Sequence, residues 1–393
     1  MQQMVSSRVR TNSWLIAMIL CINTFSKILG IFITIPFNIV IMETALLIFL
    51  AVLNENKILM KKELIIILVI VAGIMVYSLI VWNFDSRVIE RLLKFVMYAF
   101  FSMLCIQYTF DEQTLLKAIC VIGLLHATYL FVYAEPRLKV GIISMDDTMD
   151  LSYTSLIYLF ASVSIVANKQ EKNVLRICAL TSCVAFVYFL TLVSTNRGAL
   201  VAAGCYFAFR FVSRCKQQSL RTCLFFLVVM LAVIAYLNIV PILESIDEFT
   251  TACGIEITPL KKTIWQMNNT DSMTSGREDN YAIAIQMIKD TWALPNGVAS
   301  YHIQTMVAYY PHNIFLEAGV EFGFIGFVLV ALVIVKACYM MVISPRKYSH
   351  LILLLFCLSI PRLMVSSSYW ENSYIWPMLM LMWSKEQRKA CCS

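Results

Sequence analysis

The stretch Pro311-His312-Asn313-Ile314-Phe315-Leu316-Glu317 sets a histidine and an asparagine at the mouth of an apolar helix, with a carboxylate about one turn deeper. A neutral imidazole held there can take a proton from a hydroxyl near pH 7. Two further stretches offer the complementary charge. Ser194-Thr195-Asn196-Arg197-Gly198 and Ser275-Gly276-Arg277-Glu278 each place an arginine at a helix start. Free N–H groups and the positive end of the helix dipole favour anions at such a start, and a guanidinium adds a bidentate partner for phosphate. If the three helix starts converge, they form a pocket for a diphosphate beside a histidine. Each residue also has a plainer reading. Arg197 alone would snorkel to headgroups, Arg277 would be a solvated first-turn charge, and His312 an interfacial side chain. Glu317 either orients His312 or serves as the structural partner of an outer arginine.

The elements that must position these groups are membrane spans. The chain has 393 residues, 60% hydrophobic and only 14% charged, with a mean hydropathy of +0.77. Soluble domains carry nearer a quarter charged residues. Apolar runs long enough to cross a hydrocarbon core of about 30 Å recur from end to end. The pattern is that of an all-α polytopic membrane protein with about twelve transmembrane helices. They are expected near 13–33, 36–53, 63–82, 92–110, 114–133, 151–168, 176–193, 197–213, 222–242, 312–341, 349–367 and 373–384. The organisation is then nine spans in 1–242, a long outer loop at 243–311, and three spans with a short tail in 312–393.

Orientation follows from the basic residues. With both termini in the cytoplasm, Arg8, Lys61, Lys117, Lys172, Arg214, Arg346 and Arg388, with their basic neighbours, all fall inside. The same asymmetry accounts for a net charge of +7 without nucleic acid. Thirteen cysteines lie mostly in spans or on the inner side, which suits small apolar packing residues better than disulfides. The inner links are short and show no nucleotide-binding loop. Of the four histidines, His126 sits within a span and His350 inside, so only His302 and His312 can serve outer-face proton transfer.

Within the long loop, Ser275 and Glu278 form a capping box, and Tyr281, Ile285, Ile288 and Trp292 recur at helical spacing before Pro295-Asn296-Gly297. An amphipathic helix over 276–293 is predicted, its apolar face on the bundle or the membrane surface. Gly319, Gly323 and Gly326 permit close helix approach. Tyr369, Trp370, Tyr374 and Trp376 have the makings of an aromatic belt. Arg362, within a span, must face the bundle or a wet cavity. Asp146, Asp147 and Asp150 could hold a cation, but read as a solvated loop.

The sequence S-T-N-R-G at a span start, S-G-R in a long outer loop, then P-H-N-I-F-L-E-A-G-V-E-F-G-F-I-G resembles the O-antigen ligase and O-antigen polymerase (WaaL/Wzy-type) superfamily. The resemblance covers Arg137 to Trp376, and its His-Asn…Glu…Gly segment is the most specific part. It implies an enzyme of the bacterial inner membrane that moves a glycan from a polyprenyl diphosphate to an acceptor hydroxyl on the outer face, with no cofactor and no metal. By that resemblance Arg197 and Arg277 match the arginines that bind the diphosphate, His312 the base, and Arg137 another outer arginine of the family; Asn313 and Glu317, beside the histidine, are candidate supporting residues. The partners implied are a polyprenyl-diphosphate-linked oligosaccharide, a glycan or lipid A-core acceptor, the bilayer and a chain-length regulator. Polymerisation of repeat units for O-antigen, capsule or exopolysaccharide is favoured over ligation, since no feature marks a lipid A-core acceptor. A lipid-linked oligosaccharide flippase is the alternative of another class. It would place polar residues near the midplane and show related halves.

Overall fold

The computed structural model describes residues 6–32, 38–54, 56–140, 144–194, 196–215, 217–237, 239–254, 256–257, 260–261, 264–265, 277–291, 294–306, 308–343 and 348–383. The described residues are helical, with no strand among them. Helices occur at each of the twelve expected positions. Five of them, Lys62–Val81, Glu112–Leu138, Asp147–Ala167, Asn173–Val193 and Ile314–Val342, are long and apolar enough to cross a membrane. A sixth results if Ser7–Leu20 and Ile22–Leu29, bent by 62°, form one span.

The chain divides into two compact units. The first contains α1 (Ser7–Leu20), α2 (Ile22–Leu29), α3 (Asn38–Leu53), α4 (Lys62–Val81), α5 (Ser86–Phe95), α6 (Phe101–Cys105) and the start of α7 (Glu112–Tyr129). The second holds the rest of α7 with α8 (Glu135–Lys139), α9 (Met145–Ala167), α10 (Asn173–Tyr188), α11 (Arg197–Ser213), α12 (Gln218–Leu237) and α13 (Ile239–Ala252). The first unit then resumes with α14 (Glu278–Thr291), α15 (Ser300–Thr305), α16 (Ile314–Cys338), α17 (Ser349–Leu363) and α18 (Ile375–Trp383).

In the second unit α9 is the central helix, flanked by α10 and α11. Its polar residues are satisfied inside the bundle. His126 Nε2 lies 3.2 Å from Ser155 Oγ, and the Ser152 and Ser194 hydroxyls are 2.5 Å apart. His126 is fully buried and hydrogen-bonded, so it is a packing histidine. Asp147 belongs to the first turn of α9, where it accepts from the N-cap Ser144 hydroxyl. That segment is a helix start rather than a loop.

In the first unit the loop helix and α16 form one small core. Ala284 and Met287 of α14 bury against Tyr301 and Val320, with Ile288, Leu316 and Ala308 around them. The helix covers 278–291, inside the expected 276–293; Ser275 of the capping box and Trp292 lie outside the described residues. Its packing face is rotated from the expected one, because Ile285 is exposed and the small Ala284 makes the contact. Gly319 explains how close the helices come, since a Cβ there would meet Ile288 Cδ1 at 2.8 Å.

The other two glycines do something different. Gly323 has φ 66° and ψ −158°, a backbone region that is essentially glycine-only. α16 kinks sharply there. Phe315 and Phe327 have ring centroids 5.1 Å apart, whereas twelve residues of straight helix span about 18 Å. A Cβ on Gly326 would sit 2.1 Å from the Ala318 carbonyl oxygen. The run expected as one long span is therefore a short arm, 314–322, folded back on a longer one.

Candidate functional site

α5 sets the floor of the site. Asp85 caps it by accepting from the Arg87 N–H at 2.8 Å. Arg87, Arg91 and Lys94 recur at i, i+4 and i+7 and so share one face. This face grips the segment that leads to the histidine. Arg87 Nη1 donates to the carbonyls of His302 (3.4 Å) and Ile303 (3.3 Å). Arg91 Nη2 donates to the Tyr309 carbonyl at 2.5 Å, and its guanidinium carbon lies 3.9 Å from the centroid of the Tyr309 ring. Lys94 Nζ is 4.0 Å from the same centroid, and Glu90 accepts the Tyr309 hydroxyl at 2.5 Å. Tyr310 donates to the Ser366 carbonyl at 2.8 Å. Burial raises its hydroxyl pKa and keeps it a protonated donor.

The grip ends at His312, whose φ of 56° is left-handed. That conformation is uncommon for a residue with a side chain and persists only where its surroundings fix it. On its C-terminal side the fixing is done by Asn313. This residue caps α16, accepting from the Phe315 and Leu316 N–H groups at 2.9 and 3.3 Å. The imidazole stands edge-on to Tyr310 with centroids 4.5 Å apart. Tyr281 of α14 donates to the His312 carbonyl at 3.5 Å. Nδ1 is buried with no hydrogen-bond partner. Burial first, and the charge of Arg277 second, depress the pKa of His312 to about 4. At neutral pH the ring is uncharged and has a free lone pair, beside a half-buried guanidinium. Such a pair can accept a proton while the cation faces an anion.

His302 is the other expected candidate. Its ring is tilted against Tyr309 with centroids 4.8 Å apart, and burial, then Arg87 and Arg91, depress its pKa. It lies on the gripping side of the segment, and its own carbonyl is one of the groups held.

Behind the histidine lies a buried carboxylate layer on the short arm of α16. Glu317 Oε1 accepts from Ser368 Oγ at 2.5 Å, and Oε2 has no partner. No hydrogen bond joins Glu317 to His312 among the described residues, so Glu317 braces the connector after α17 and does not orient the imidazole. Glu321 is a hub. It accepts from Trp370 Nε1 at 2.8 Å, from the Ala299 N–H at 2.9 Å and from the Tyr369 hydroxyl. Arg91 is the cation whose charge reaches both carboxylates. Its Nη1 stands 3.9 Å from Glu371 Oε1. Tyr369 and Trp370 are bound into this network and Tyr374 is buried, so these three form no aromatic belt; Trp376 is half-buried and donates from Nε1 to the Tyr369 carbonyl at 2.7 Å. Arg362, at the end of α17, sets its charge toward Tyr310 and thus faces the bundle.

Arg197 and Arg137 belong to the second unit. Arg197 opens α11 behind Asn196, which accepts from the Gly198 and Ala199 N–H groups at 3.0 and 3.4 Å and donates to the Met149 carbonyl at 3.3 Å. Arg137 folds back on its own turn, donating to the Tyr133 carbonyl at 3.1 Å with its guanidinium 3.5 Å from the Tyr133 ring centroid.

An apolar groove of about 500 Å³ includes Ile314, two residues after the histidine, in its lining. It runs between α4, both arms of α16 and α18, past Ile70, Phe322 and Val333, to Lys336 and Trp383. Lys336 Nζ lies 4.8 Å from the Trp383 ring centroid at that end.

Sequence reasoning missed Arg91, Glu321 and the basic face of α5. The signal was present as three cations at one-turn spacing just before an apolar run. It was masked because the span was expected to begin at 92, whereas the helix starts at Ser86.

Residues 177–331 match the Wzy_C family, described as O-antigen ligase. The match contains Arg197, Arg277 and His312, and it supports the resemblance to the O-antigen ligase and polymerase superfamily. No curated protein and no solved structure matches the chain.

Proposed function

We propose that this chain is an outer-face membrane glycosyltransferase that takes a glycan from a polyprenyl diphosphate carrier and gives it to an acceptor hydroxyl. The observation that carries the reading is the uncharged imidazole of His312 in reach of the Arg277 charge, within a segment of the O-antigen ligase family. In the reaction, the acceptor oxygen forms a bond to the anomeric carbon and loses its proton to His312. The bond from that carbon to the diphosphate oxygen breaks, and the electron pair leaves with the diphosphate. Arg277 stabilises that charge where it develops; for Arg197, at the start of α11, the same role toward the diphosphate is what the family resemblance implies. Direct displacement inverts the anomeric centre. None of these steps calls for a metal.

The groove at Ile314 supports the same reading, because an apolar channel lined by Ile314, two residues from the base, suits an isoprenoid chain whose head lies at His312. Polymerisation of repeat units is the favoured reaction. The description of the matched family favours ligation to lipid A-core instead, and the acceptor separates the two: a repeat-unit oligosaccharide elongates in the first case, and only a lipid A-core acceptor is glycosylated in the second.

His312→Ala tests the reading. With donor, acceptor and correctly inserted protein, transfer is expected to fall by about 10²–10⁴, the usual loss with a general base, while the lipid-linked donor accumulates. His302→Ala is expected to do far less. Near-normal product from His312→Ala would make the histidine structural and place the base elsewhere.

A further inference from the structure

The basic face of α5 is more than packing. Arg91 is 1% exposed, and a buried arginine ordinarily has its donors matched. Here only Nη2 makes a hydrogen bond, to the Tyr309 carbonyl, while Nε and Nη1 make none. Among the described residues its one ion pair, with Glu371, is long at 3.9 Å. A guanidinium held solely for its charge would sit bidentate on a carboxylate. This one sits over the Tyr309 ring and bonds that residue's backbone, three positions before His312.

The position matters because of the backbone that follows. His312 is left-handed, at a cost of about 1–3 kcal/mol that neighbouring contacts must offset. Downstream, the Asn313 cap fixes the chain. Upstream, the strongest hold on the backbone of 309–311 is Arg91 to the Tyr309 carbonyl, with Tyr310 to Ser366 beside it. The imidazole Nδ1 has no hydrogen-bond partner, so the ring is placed by the turn and by its edge contact with Tyr310.

We infer that Arg91 is a positioning residue, which holds the turn that carries His312 and acts on transfer only through that histidine. The inference rests on His312 being the base. It assigns a role to a side chain outside the matched segment 177–331.

The test is a double-mutant cycle in full-length protein reconstituted in lipid, with kcat and KM for the lipid-linked donor measured on the folded fraction. Arg91→Lys keeps the charge that faces Glu371, Glu317 and Glu321. It loses the planar group that can lie on the ring and bond the carbonyl together. The expected result is a kcat lower by about tenfold to a hundredfold, the usual effect of displacing a catalytic group by roughly 1 Å, with KM unchanged. In a His312→Ala background the same substitution should change the residual rate by less than about twofold, because residues that act as a unit are not additive. Arg91→Met provides a second variant, in which the loss of kcat should be at least as large.

Three results overturn the inference. A KM that rises in place of the kcat loss would make Arg91 a ligand of the diphosphate. An equal loss on both backgrounds would mean that it acts apart from His312. An unchanged kcat in either variant would make it a packing residue. Failure of the underlying reading looks different, because His312→Ala would then be active by itself, whatever stands at position 91.

Discussion

The acid limb of the pH profile should lie far below that of an ordinary histidine enzyme. His312 has a pKa of about 4 in place of 6.5, first through burial and second through the Arg277 charge. As a base it works when uncharged. At pH 5 a group with a pKa of 4 is about 90% uncharged, whereas one at 6.5 is about 3% uncharged, a difference in rate of roughly thirtyfold. The profile of kcat/KM reports the free enzyme and should stay nearly flat from pH 8 down to pH 5, then fall below it. A diphosphate esterified at both ends has no ionisation in this range, so the donor does not blur the limb. Once bound, the donor's negative charge offsets Arg277, and the limb in kcat should lie above the limb in kcat/KM. Arg277→Gln removes one of the two depressing causes and leaves burial, so its kcat/KM limb should move up without reaching 6.5. The assay is initial-rate transfer in proteoliposomes with labelled donor over pH 4–8. A wild-type kcat/KM limb between pH 6 and 7, or an Arg277→Gln limb that does not move, refutes the account of His312 given by its surroundings.

Two further substitutions probe the scaffold. Gly326→Ala should lower unfolding stability by about 1–3 kcal/mol, because its Cβ would sit 2.1 Å from the Ala318 carbonyl oxygen. Gly73→Ala, whose Cβ meets nothing, should be neutral or stabilising in the same thermal melt; equal melts would refute the kink. Glu321→Ala strands the Trp370 Nε1, the Ala299 N–H and the Tyr369 hydroxyl, at about 1–3 kcal/mol for each buried unpaired donor. It should lower the melting temperature and change the Trp370 fluorescence, and an unshifted melt would show that the hub is dispensable.

The positions of the helices were legible because apolar runs are a coarse signal that survives ignorance of packing, though five of the helices, or six with the bent pair, are long and apolar enough to cross a membrane. The loop helix was legible from its spacing, though its buried face was not. Ile285 looked like a core residue by type but is exposed; Ala284 buries with Met287 against Tyr301 and Val320, while Ile288, on the expected face, packs where Gly319 has no side chain. His312 and Asn313 were visible as a helix mouth, and Asn313 is indeed the cap. What could not be read was how the chain folds back at Gly323. A glycine in an apolar run signals close approach as readily as a break, and only φ and ψ separate the two. That reversal is what turns Glu317 and Glu321 inward, toward Ser368 and Trp370.

The reversal also bears on why His312 sits where it does. A straight span beginning at Ile314 would carry Glu317 and Glu321 down into hydrocarbon, where a carboxylate costs several kcal/mol without partners. Folding the first two turns back keeps those carboxylates level with the connector 366–372, which supplies a serine, a tyrosine and a tryptophan as donors. Glu321 in turn holds the Ala299 N–H, and its carbonyl accepts from Gly297, so the short arm fixes the loop on which α15 stands. That loop leads through Tyr309, under the Arg91 guanidinium, to His312. The histidine is thus held from both directions by one set of buried ionic and aromatic contacts. It remains uncharged because apolar packing and a neighbouring cation leave it no partner of its own.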